Sequence, residues 1–410
     1  MSRPNLTPAL AATAVVAVLA AAIVIHHQPA QQAAVAAAQP VPAGLVDTWA
    51  AAATDLGGPY TDKTVRDIVH TSVGGSGVRV RLSNAFGTVP VTFDAVYLGV
   101  QSSGAALVPG SNHELTFGGA DSVTIPKGAE VLSDLLPVTL PARTNVAVSV
   151  HVAGATGEVT GHPDAQQDNY YADGDTAGDE SATSYVHSIA NWFFLDAVLL
   201  DSTERCGDVI TLGDSITDGF RSTPDANHRW PDYLAARLLR QPAPAQAAVA
   251  NEGISGNEIT ADGAGVNAQA RLDRDVLAQP GAHTVIFLEG INDIGNGLAT
   301  SAAQLIAADE QIVARAHADG LRILGGTLVP FAGAGYYSPQ KDTVRQALNT
   351  WIRTSHAFDG VVDFDARLRD PADPARFLPA YDSGDHLHPN DAGYAAMADT
   401  VNLNALGCPS

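Results

Sequence analysis

The chain has 410 residues, of which 46% are hydrophobic and 16% are charged, a composition typical of a globular protein long enough for two domains. It holds 44 Asp and Glu against 22 Lys and Arg, so its formal net charge is −22. Such an acidic surface repels phosphate backbones and anionic lipid headgroups, which argues against nucleic acid as a partner.

Residues 1–44 have the pattern of a secretory signal peptide followed by a linker. Arg3 precedes a stretch of 17 uncharged residues, 9–25, and the alanines at 36–38 provide a small-residue cleavage site. An uncleaved membrane anchor is the alternative, because 17 apolar residues are at the lower limit of a bilayer span. We expect cleavage, a secreted protein and no stable membrane insertion afterwards.

Residues 45–202 predict an all-β accessory domain. The segments GVRVRLSNAFG, VTFDAVYLGV and NVAVSVHVAG alternate apolar and polar residues, and glycine- and proline-containing turns separate them. Several short strands at this spacing indicate an antiparallel β-sandwich. The polar, acidic stretch 164–184 is expected to be a surface loop. Its Tyr170 and Tyr171 are either ordinary loop aromatics or part of a sugar-stacking surface.

Residues 203–410 predict a second domain in which strands alternate with helices. Five apolar strand segments lead into helices expected near 230–240, 267–277, 301–318 and 339–355 and from about residue 390. This alternation is typical of a parallel sheet covered by helices on both faces, a three-layer α/β/α fold. Right-handed crossovers then bring the carboxyl ends of all the strands to one edge, where ligands bind in such folds.

Polar residues suited to acyl transfer follow four of these strands. The segments are GDS at 213–215, NEGISGN at 251–257, GIND at 290–293 and DHLH at 385–388. Ser215 is the candidate nucleophile, His388 the base that takes its proton, and Asp385 the carboxylate that orients the imidazole. The backbone N–H of Ser215, the N–H of Gly256 and the side-chain amide of Asn292 are candidate oxyanion donors.

Each segment alone has a simpler explanation as a turn or a helix cap, and the case depends on all four occurring at strand ends. His386 is an alternative base and Asp382 an alternative third triad member. Asp214 and Asp293 are expected to brace their turns rather than touch substrate. No metal-ligand spacing occurs in the sequence, so neither a metal nor a cofactor is implied.

These four segments resemble the SGNH hydrolases, also called the GDSL family of esterases and lipases. The first segment continues to Ile216 as GDSI, with isoleucine at the position where the family name GDSL has leucine. The resemblance covers residues 206 to about 405 and implies a flavodoxin-like α/β/α domain with a Ser–His–Asp triad. It points to Ser215, Gly256, Asn292, Asp385 and His388, the same residues that the chemistry selects.

The chain has two cysteines, Cys206 and Cys408. One precedes the first strand of the α/β domain and the other follows its last helix, so both are expected at the edge of the sheet opposite the polar strand ends. Export permits a disulfide between them. Two free buried thiols are the alternative.

The sequence therefore predicts a secreted serine esterase acting on small acyl esters, most plainly acetyl esters of carbohydrate. A lipase or lysophospholipase is the second hypothesis, because Phe331, Ala332, Tyr336 and Tyr337 offer an apolar patch near the strand ends. A non-catalytic carbohydrate-binding protein is the hypothesis from another class. The expected partner is a small-molecule or polysaccharide ester, and the sequence leaves the oligomeric state open.

Overall fold

The computed structural model describes residues 34–35, 44–201 and 205–408. The predicted signal peptide lies outside these residues apart from a two-residue strand and Gly44, so its cleavage stays a prediction. The described chain comprises a β-rich region up to residue 201 and an α/β region from residue 205. Among the described residues, none of the helices combines the length and apolar character needed to cross a bilayer.

The β-rich region consists of two large sheets and one small one, almost entirely antiparallel. The first sheet has, in spatial order, β1 (Ala34–Val35), β9 (Val123–Ile125), β6 (Val91–Ser103), β12 (Asn145–Val152), β4 (Lys63–His70), β14 (Asn169–Asp173) and β15 (His187–Ile189), with β7 (Ala106–Leu107) and β8 (His113–Glu114) beside β6. The second has β10 (Glu130–Leu132), β5 (Gly75–Ser83), β17 (Leu195–Asp201) and β2 (Leu45–Ala50), with β11 (Leu136–Leu140) beside β5. The small sheet has β16 (Trp192–Phe193), β13 (Thr160–His162) and β3 (Thr54–Asp55).

The two large sheets share one hydrophobic core, as the alternating sequence predicts. Val148 of β12 and Val80 of β5 are fully buried and belong to the same cluster of packed side chains. The prediction of a surface loop at 164–184 is wrong for part of that stretch, because the stretch contains strand β14, which pairs with β4. Asn169 and Ala172 of that strand are buried among mostly polar neighbours, which hid its alternation.

The α/β region has a five-stranded parallel sheet. Its spatial order is β19 (Ala248–Gly253), β18 (Asp208–Gly213), β20 (Ala282–Leu288), β21 (Arg322–Gly326) and β22 (Gly360–Val362). The helices are α1 (Ser215–Asp218), α2 (Trp230–Leu238), α3 (Ala268–Leu272), α4 (Ile291–Gly295), α5 (Ala302–Ala318), α6 (Pro339–Thr354), α7 (Phe364–Leu368) and α8 (Asp391–Thr400). A π-helical turn, Asp273–Leu277, continues α3. In chain order the strands lie 2-1-3-4-5, which confirms the predicted flavodoxin-like fold.

The two regions meet along the edge of the parallel sheet. Ala51, which follows β2, forms a parallel bridge with Asn251 of β19. Leu45 and Ala50 of β2 pack in the same hydrophobic cluster as the α/β core. Both regions therefore belong to one compact unit, Ala33–Ser410, and the domain boundary predicted at residues 202–203 remains a prediction.

A disulfide joins Cys206 to Cys408 across a sequence separation of 202 residues. Cys206 immediately precedes β18, and Cys408 follows the 3₁₀ turn Leu403–Leu406. The bond therefore closes almost the whole α/β region into a covalent loop, and the alternative of two free thiols is wrong.

Candidate active site

The turn between β18 and α1 leaves the hydroxyl of Ser215 free for chemistry. Asp214, not Ser215, caps the helix, because its Oδ1 accepts a hydrogen bond from the amide of Ile216 at 2.9 Å. The preceding Gly213 is required by packing, since a Cβ there would lie 2.3 Å from Oγ1 of Thr217 in α1 and 2.5 Å from the carbonyl oxygen of Leu288 in β20. Strand and helix are thus held close together, with Ser215 at the start of the helix.

Ser215, His388 and Asp385 form a continuous hydrogen-bonded chain. The Oγ of Ser215 lies 2.8 Å from Nε2 of His388, and Nδ1 of the same ring lies 2.8 Å from Oδ2 of Asp385. Because a carboxylate oxygen can only accept a hydrogen bond, Nδ1 carries the ring proton and donates a hydrogen bond to Asp385. In the neutral ring, Nε2 is then the acceptor for the serine hydroxyl, which is the state a general base needs.

Asp385 stays ionised in this arrangement. Burial raises the pKa of its carboxyl, but hydrogen bonds from the ring and the amide of His388 and from the amide of Leu387 outweigh that effect and hold the pKa well below its usual value. Nε of Arg221 lies 3.4 Å from Oδ2 of Asp385 and adds a positive charge nearby. The carboxylate is thus an anion that can stabilise an imidazolium at His388.

The two alternative triad members pair with each other instead. Nδ1 of His386 lies 2.6 Å from Oδ2 of Asp382, and the other oxygen of Asp382 accepts the amides of Gly384 and His386. Asp382 therefore shapes the turn before His388 and does not contact the His388 ring.

Gly256 lies in a tight turn, Ile254 to Asn257, that follows β19. The amide of Asn257 donates to the carbonyl oxygen of Ile254 at 3.0 Å and closes the turn, so the amide of Gly256 is not used in that bond. Gly256 has a φ of +81°, a backbone conformation that favours glycine. Ser255, its neighbour, is fixed by Asp218, whose Oδ2 accepts both the hydroxyl at 2.5 Å and the amide at 3.1 Å.

The side-chain amide of Asn292 is oriented from both ends. Its Nδ2 donates to the carbonyl oxygen of Asn257 at 2.8 Å, and its Oδ1 accepts the hydroxyl of Tyr336 at 3.3 Å. This fixes which end of the amide is the donor, and the second Nδ2 hydrogen remains for another acceptor. Asn292 is thus tied directly to the turn that carries Gly256.

The carboxylates of Asp293 and Asp214 accept hydrogen bonds from backbone amides near the site. Asp293 accepts the amides of Ile259 and Thr260 at 2.9 and 3.1 Å and the hydroxyl of Thr260 at 2.7 Å, so it braces the loop after Gly256. Burial, together with a smaller contribution from the nearby charge of Asp293, raises the pKa of Asp214 to about 7.

Sequence reasoning missed a buried cation behind the site, Arg271 of α3. Its guanidinium donates to the carbonyl oxygens of Gly213 and Glu252 at 3.0 and 2.7 Å and to Oδ1 of Asn257 at 3.0 Å. It therefore ties the segment before Ser215 to both ends of the glycine segment. Its only signal in the sequence is a charged residue on the apolar face of a predicted helix.

A second missed contact is the ring of Phe220, which meets the ring of His388 edge-on with 4.9 Å between centroids. Phe220 follows the four-residue helix α1, where the sequence gives no periodicity to assign a buried face. The contact packs an apolar ring against the imidazole of the candidate base.

The match to a family model concerns the same part of the chain. Residues 211–396 match the family model described as GDSL-like lipase/acylhydrolase, a range that contains Ser215, Gly256, Asn292, Asp385 and His388. No curated protein matches the chain.

Among solved structures, a GDSL-like lipase from Bacteroides thetaiotaomicron VPI-5482 is 19% identical over 47% of this chain and 85% of that chain, with a TM-score of 0.37. A member of the lipolytic protein G-D-S-L family from Veillonella parvula DSM 2008 is 19% identical over 47% and 94%, with a TM-score of 0.37. A carbohydrate acetylesterase family member from Sinorhizobium meliloti is 17% identical over 47% and 94%, with a TM-score of 0.38.

Proposed function

Because residues 211–396 match the family model described as GDSL-like lipase/acylhydrolase, we propose that the protein is a serine esterase that works through an acyl-enzyme. The observation that carries the proposal is the hydrogen-bonded chain from Ser215 through His388 to Asp385. A serine that donates to an imidazole, itself oriented by a carboxylate, is the arrangement that activates a hydroxyl for attack.

The first half of the reaction transfers the acyl group to the enzyme. Oγ of Ser215 attacks the ester carbonyl carbon while Nε2 of His388 takes the hydroxyl proton. The carbonyl oxygen becomes an oxyanion, which accepts hydrogen bonds from the amides of Ser215 and Gly256 and from Nδ2 of Asn292. The intermediate then collapses, the bond to the alcohol breaks, and His388 returns the proton to the departing alkoxide.

The second half regenerates the enzyme. A water molecule gives its proton to His388 and attacks the acyl carbon, and collapse of the second tetrahedral intermediate releases the acid and restores the hydroxyl of Ser215. Every proton taken by the imidazole is given back, so the reaction needs neither a metal nor an organic cofactor.

Two cavities near the triad are lined in part by polar side chains, which favours a substrate whose alcohol portion is polar. One open cavity of about 280 Å³ is lined by Asp370, Arg376, Phe377, Pro379, Asp382, Gly384 and His386. Another of about 380 Å³ is lined by Gln166, Phe220, Arg221, Ser222, Thr223 and Pro224. Four of the seven residues that line the first cavity and four of the six that line the second have charged or hydrogen-bonding side chains, which could bind the hydroxyl groups of a sugar.

Of the four apolar residues that a lipase could expose, Phe331 and Ala332 are buried and Tyr336 and Tyr337 are half-buried. Phe331 is fully buried and Ala332 is 6% exposed. The ring of Phe331 packs against the rings of Tyr336 and Tyr337, at centroid distances of 6.0 and 5.1 Å. We therefore propose small acyl groups on a carbohydrate, with acetyl as the leading candidate, rather than long acyl chains on a lipid.

Hydrolysis of a series of p-nitrophenyl esters tests this proposal. We expect kcat/KM to be highest for acetate and to fall as the acyl chain lengthens, and we expect acetate release from an acetylated polysaccharide such as acetylxylan. A preference for long chains would favour a lipase. Absence of turnover with every ester would favour a non-catalytic binding protein.

We also propose that the protein is exported, since the disulfide between Cys206 and Cys408 suits an oxidising compartment. Expression in a secreting host followed by N-terminal sequencing of the protein in the medium tests this. We expect a new terminus near residues 38–44, whereas retention of the first residues in a cell-bound protein would contradict it.

A further inference from the structure

One side chain of the β-rich region contacts the helix that begins with Ser215. His162, the last residue of β13, is 2% exposed, and its Nε2 lies 3.1 Å from Oδ1 of Asp218. Asp218 is the last residue of α1. A residue from outside the α/β region therefore reaches to within one short helix of the nucleophile.

Both nitrogens of His162 face acceptors. Nδ1 lies 2.7 Å from the carbonyl oxygen of Ala52, and Nε2 faces the carboxylate of Asp218. Neither a carbonyl nor a carboxylate oxygen can donate, so both ring nitrogens carry protons and the ring is an imidazolium. Burial and the nearby Arg229 oppose this charge, but Asp218 and the Ala52 carbonyl raise the pKa of His162 above its ordinary value.

The same carboxylate holds the turn that carries Gly256. While one oxygen of Asp218 faces His162, the other accepts the hydroxyl and the amide of Ser255, at 2.5 and 3.1 Å. Ser255 is bonded directly to Gly256. Three side chains thus connect the β-rich region to the amide that is proposed to receive the oxyanion.

This connection has little room to move. A Cβ at Gly253 would lie 2.2 Å from the amide nitrogen of Asp218, so β19 and α1 are in direct backbone contact. Nδ2 of Asn251 also donates to the carbonyl oxygen of Thr217 at 2.9 Å. With the backbones fixed in this way, the orientation of the turn depends on where the Asp218 carboxylate points.

We propose that His162 is a positioning residue for the oxyanion site: its imidazolium holds the Asp218 carboxylate, which holds Ser255 and thereby aims the amide of Gly256. The inference rests on the proposed function and deepens it, since it gives the β-rich region a part in the reaction of the α/β region. Donors that are misplaced by a fraction of an ångström stabilise the transition state less, while the bound substrate is little affected.

The first test is His162→Leu, which keeps a similar volume and removes both donors. We expect kcat for p-nitrophenyl acetate to fall roughly tenfold or more with KM nearly unchanged. The affinity for phenylboronic acid, which forms a tetrahedral anionic adduct with an active serine, should fall in parallel. His162→Gln restores one amide donor toward Asp218 and should recover part of kcat.

His151→Gln is the matched control. His151 of β12 is also a buried histidine of the β-rich region with carboxylate partners, Asp94 at 2.6 Å and Asp62 at 3.4 Å, but it does not contact α1. We expect this variant to keep the wild-type kcat and boronate affinity, whatever it does to the melting temperature.

A second variant, Ser255→Ala, removes the hydroxyl that binds Asp218 from the other side without touching the boundary between the regions. We expect the same pattern, a lower kcat with a similar KM, because this variant breaks the link from Asp218 to the turn; if His162→Leu does not fold, His162→Gln tests the histidine itself. Folded variants at 162 and 255 with wild-type kcat and boronate affinity would overturn the inference. Failure of the proposed function is separate, because it would show as full activity of Ser215→Ala.

Discussion

Two buried arginines show how differently the two regions use their polar residues. Arg66, in the β-rich region, donates to the hydroxyl of Ser149 at 2.7 Å and to the carbonyl oxygens of Ala105 and Asp179 at 2.7 and 2.5 Å. All of these partners are residues in strands and loops of the same region. Arg271, in the α/β region, binds instead the backbone segments that surround Ser215 and Gly256.

Burial of a charge therefore does not by itself mark a functional residue. What distinguishes Arg271 is that its backbone partners, Gly213 and Glu252, lie at the carboxyl ends of parallel strands, near Ser215 and Asn292. The bonds of Arg66 stay within the β-rich region, whereas His162 of that region crosses to the α/β region and binds Asp218 beside the site. The following predictions test this division of roles.

The largest effect should come from Ser215→Ala. If the α/β region alone supplies the reacting groups, kcat for p-nitrophenyl acetate should fall on the order of 10⁵-fold. Thermal unfolding should be nearly unchanged, because the helix cap is Asp214 and not the serine. A variant that turned over the ester at the wild-type rate would remove Ser215 as the nucleophile.

A smaller effect on the same reaction is expected at Asn292. Asn292→Ala should lower kcat roughly 100-fold, the value typical of one lost oxyanion donor. Tyr336→Phe removes the hydroxyl that orients the amide and should cost roughly three- to tenfold, since the donor itself remains. Steady-state kinetics of both variants would contradict this ordering if the tyrosine variant were the more damaged of the two.

The disulfide should stabilise the α/β region. Closure of a loop with a sequence separation of 202 residues is worth roughly 5 kcal/mol in the chain-entropy model, which is an upper figure. Urea unfolding of the wild type with and without reductant should show this loss, and Cys206→Ser combined with Cys408→Ser should match the reduced protein. An unchanged midpoint in reductant would mean that the bond adds no stability.

The boundary between the regions should give stability a pH dependence. Asp47 of β2 and Asp208 of β18 are both fully buried, and the amide of Asp47 donates to Oδ2 of Asp208 at 2.9 Å. Burial raises the pKa of Asp47 from 3.8 to about 6. Burial also raises the pKa of Asp208 well above its usual value, and the nearby charge of Asp47 contributes to that rise.

The sign follows from these raised values. The folded state holds the proton of Asp47 more tightly than the unfolded state does. The contribution of this carboxyl to the free energy of unfolding is therefore fully present below about pH 4 and is lost as the pH rises through about 6. Asp47→Asn removes one titrating group and should raise stability at neutral pH by about 1–3 kcal/mol. Urea unfolding across this pH range measures it, with the exposed Asp121→Asn as control.

The fold of the α/β region could be predicted almost entirely from sequence. The helix predicted at 301–318 is α5, Ala302–Ala318, because Ser301 and Gln304 form the capping box that marks its start. The polar residues at strand ends could be placed together because parallel topology brings those ends to one edge. Their roles in catalysis stay predictions until the variants are measured.

Contacts between distant segments could not be predicted in the same way. His162 and Asp218 are 56 residues apart, and a single histidine at the end of a three-residue strand gives no local pattern. Strand β14 was missed because the stretch 164–184 around it is polar and acidic. Such contacts depend on how the sheets pack, which hydrophobic periodicity does not encode.

The central claim, a covalent intermediate on Ser215, can be tested directly by mass spectrometry. Protein mixed with p-nitrophenyl acetate and quenched in acid during turnover should gain the mass of one acetyl group on the peptide that contains Ser215, and Ser215→Ala should gain none there. Steady turnover with an unmodified Ser215, or with the acetyl group on another residue that the reaction requires, would contradict the account.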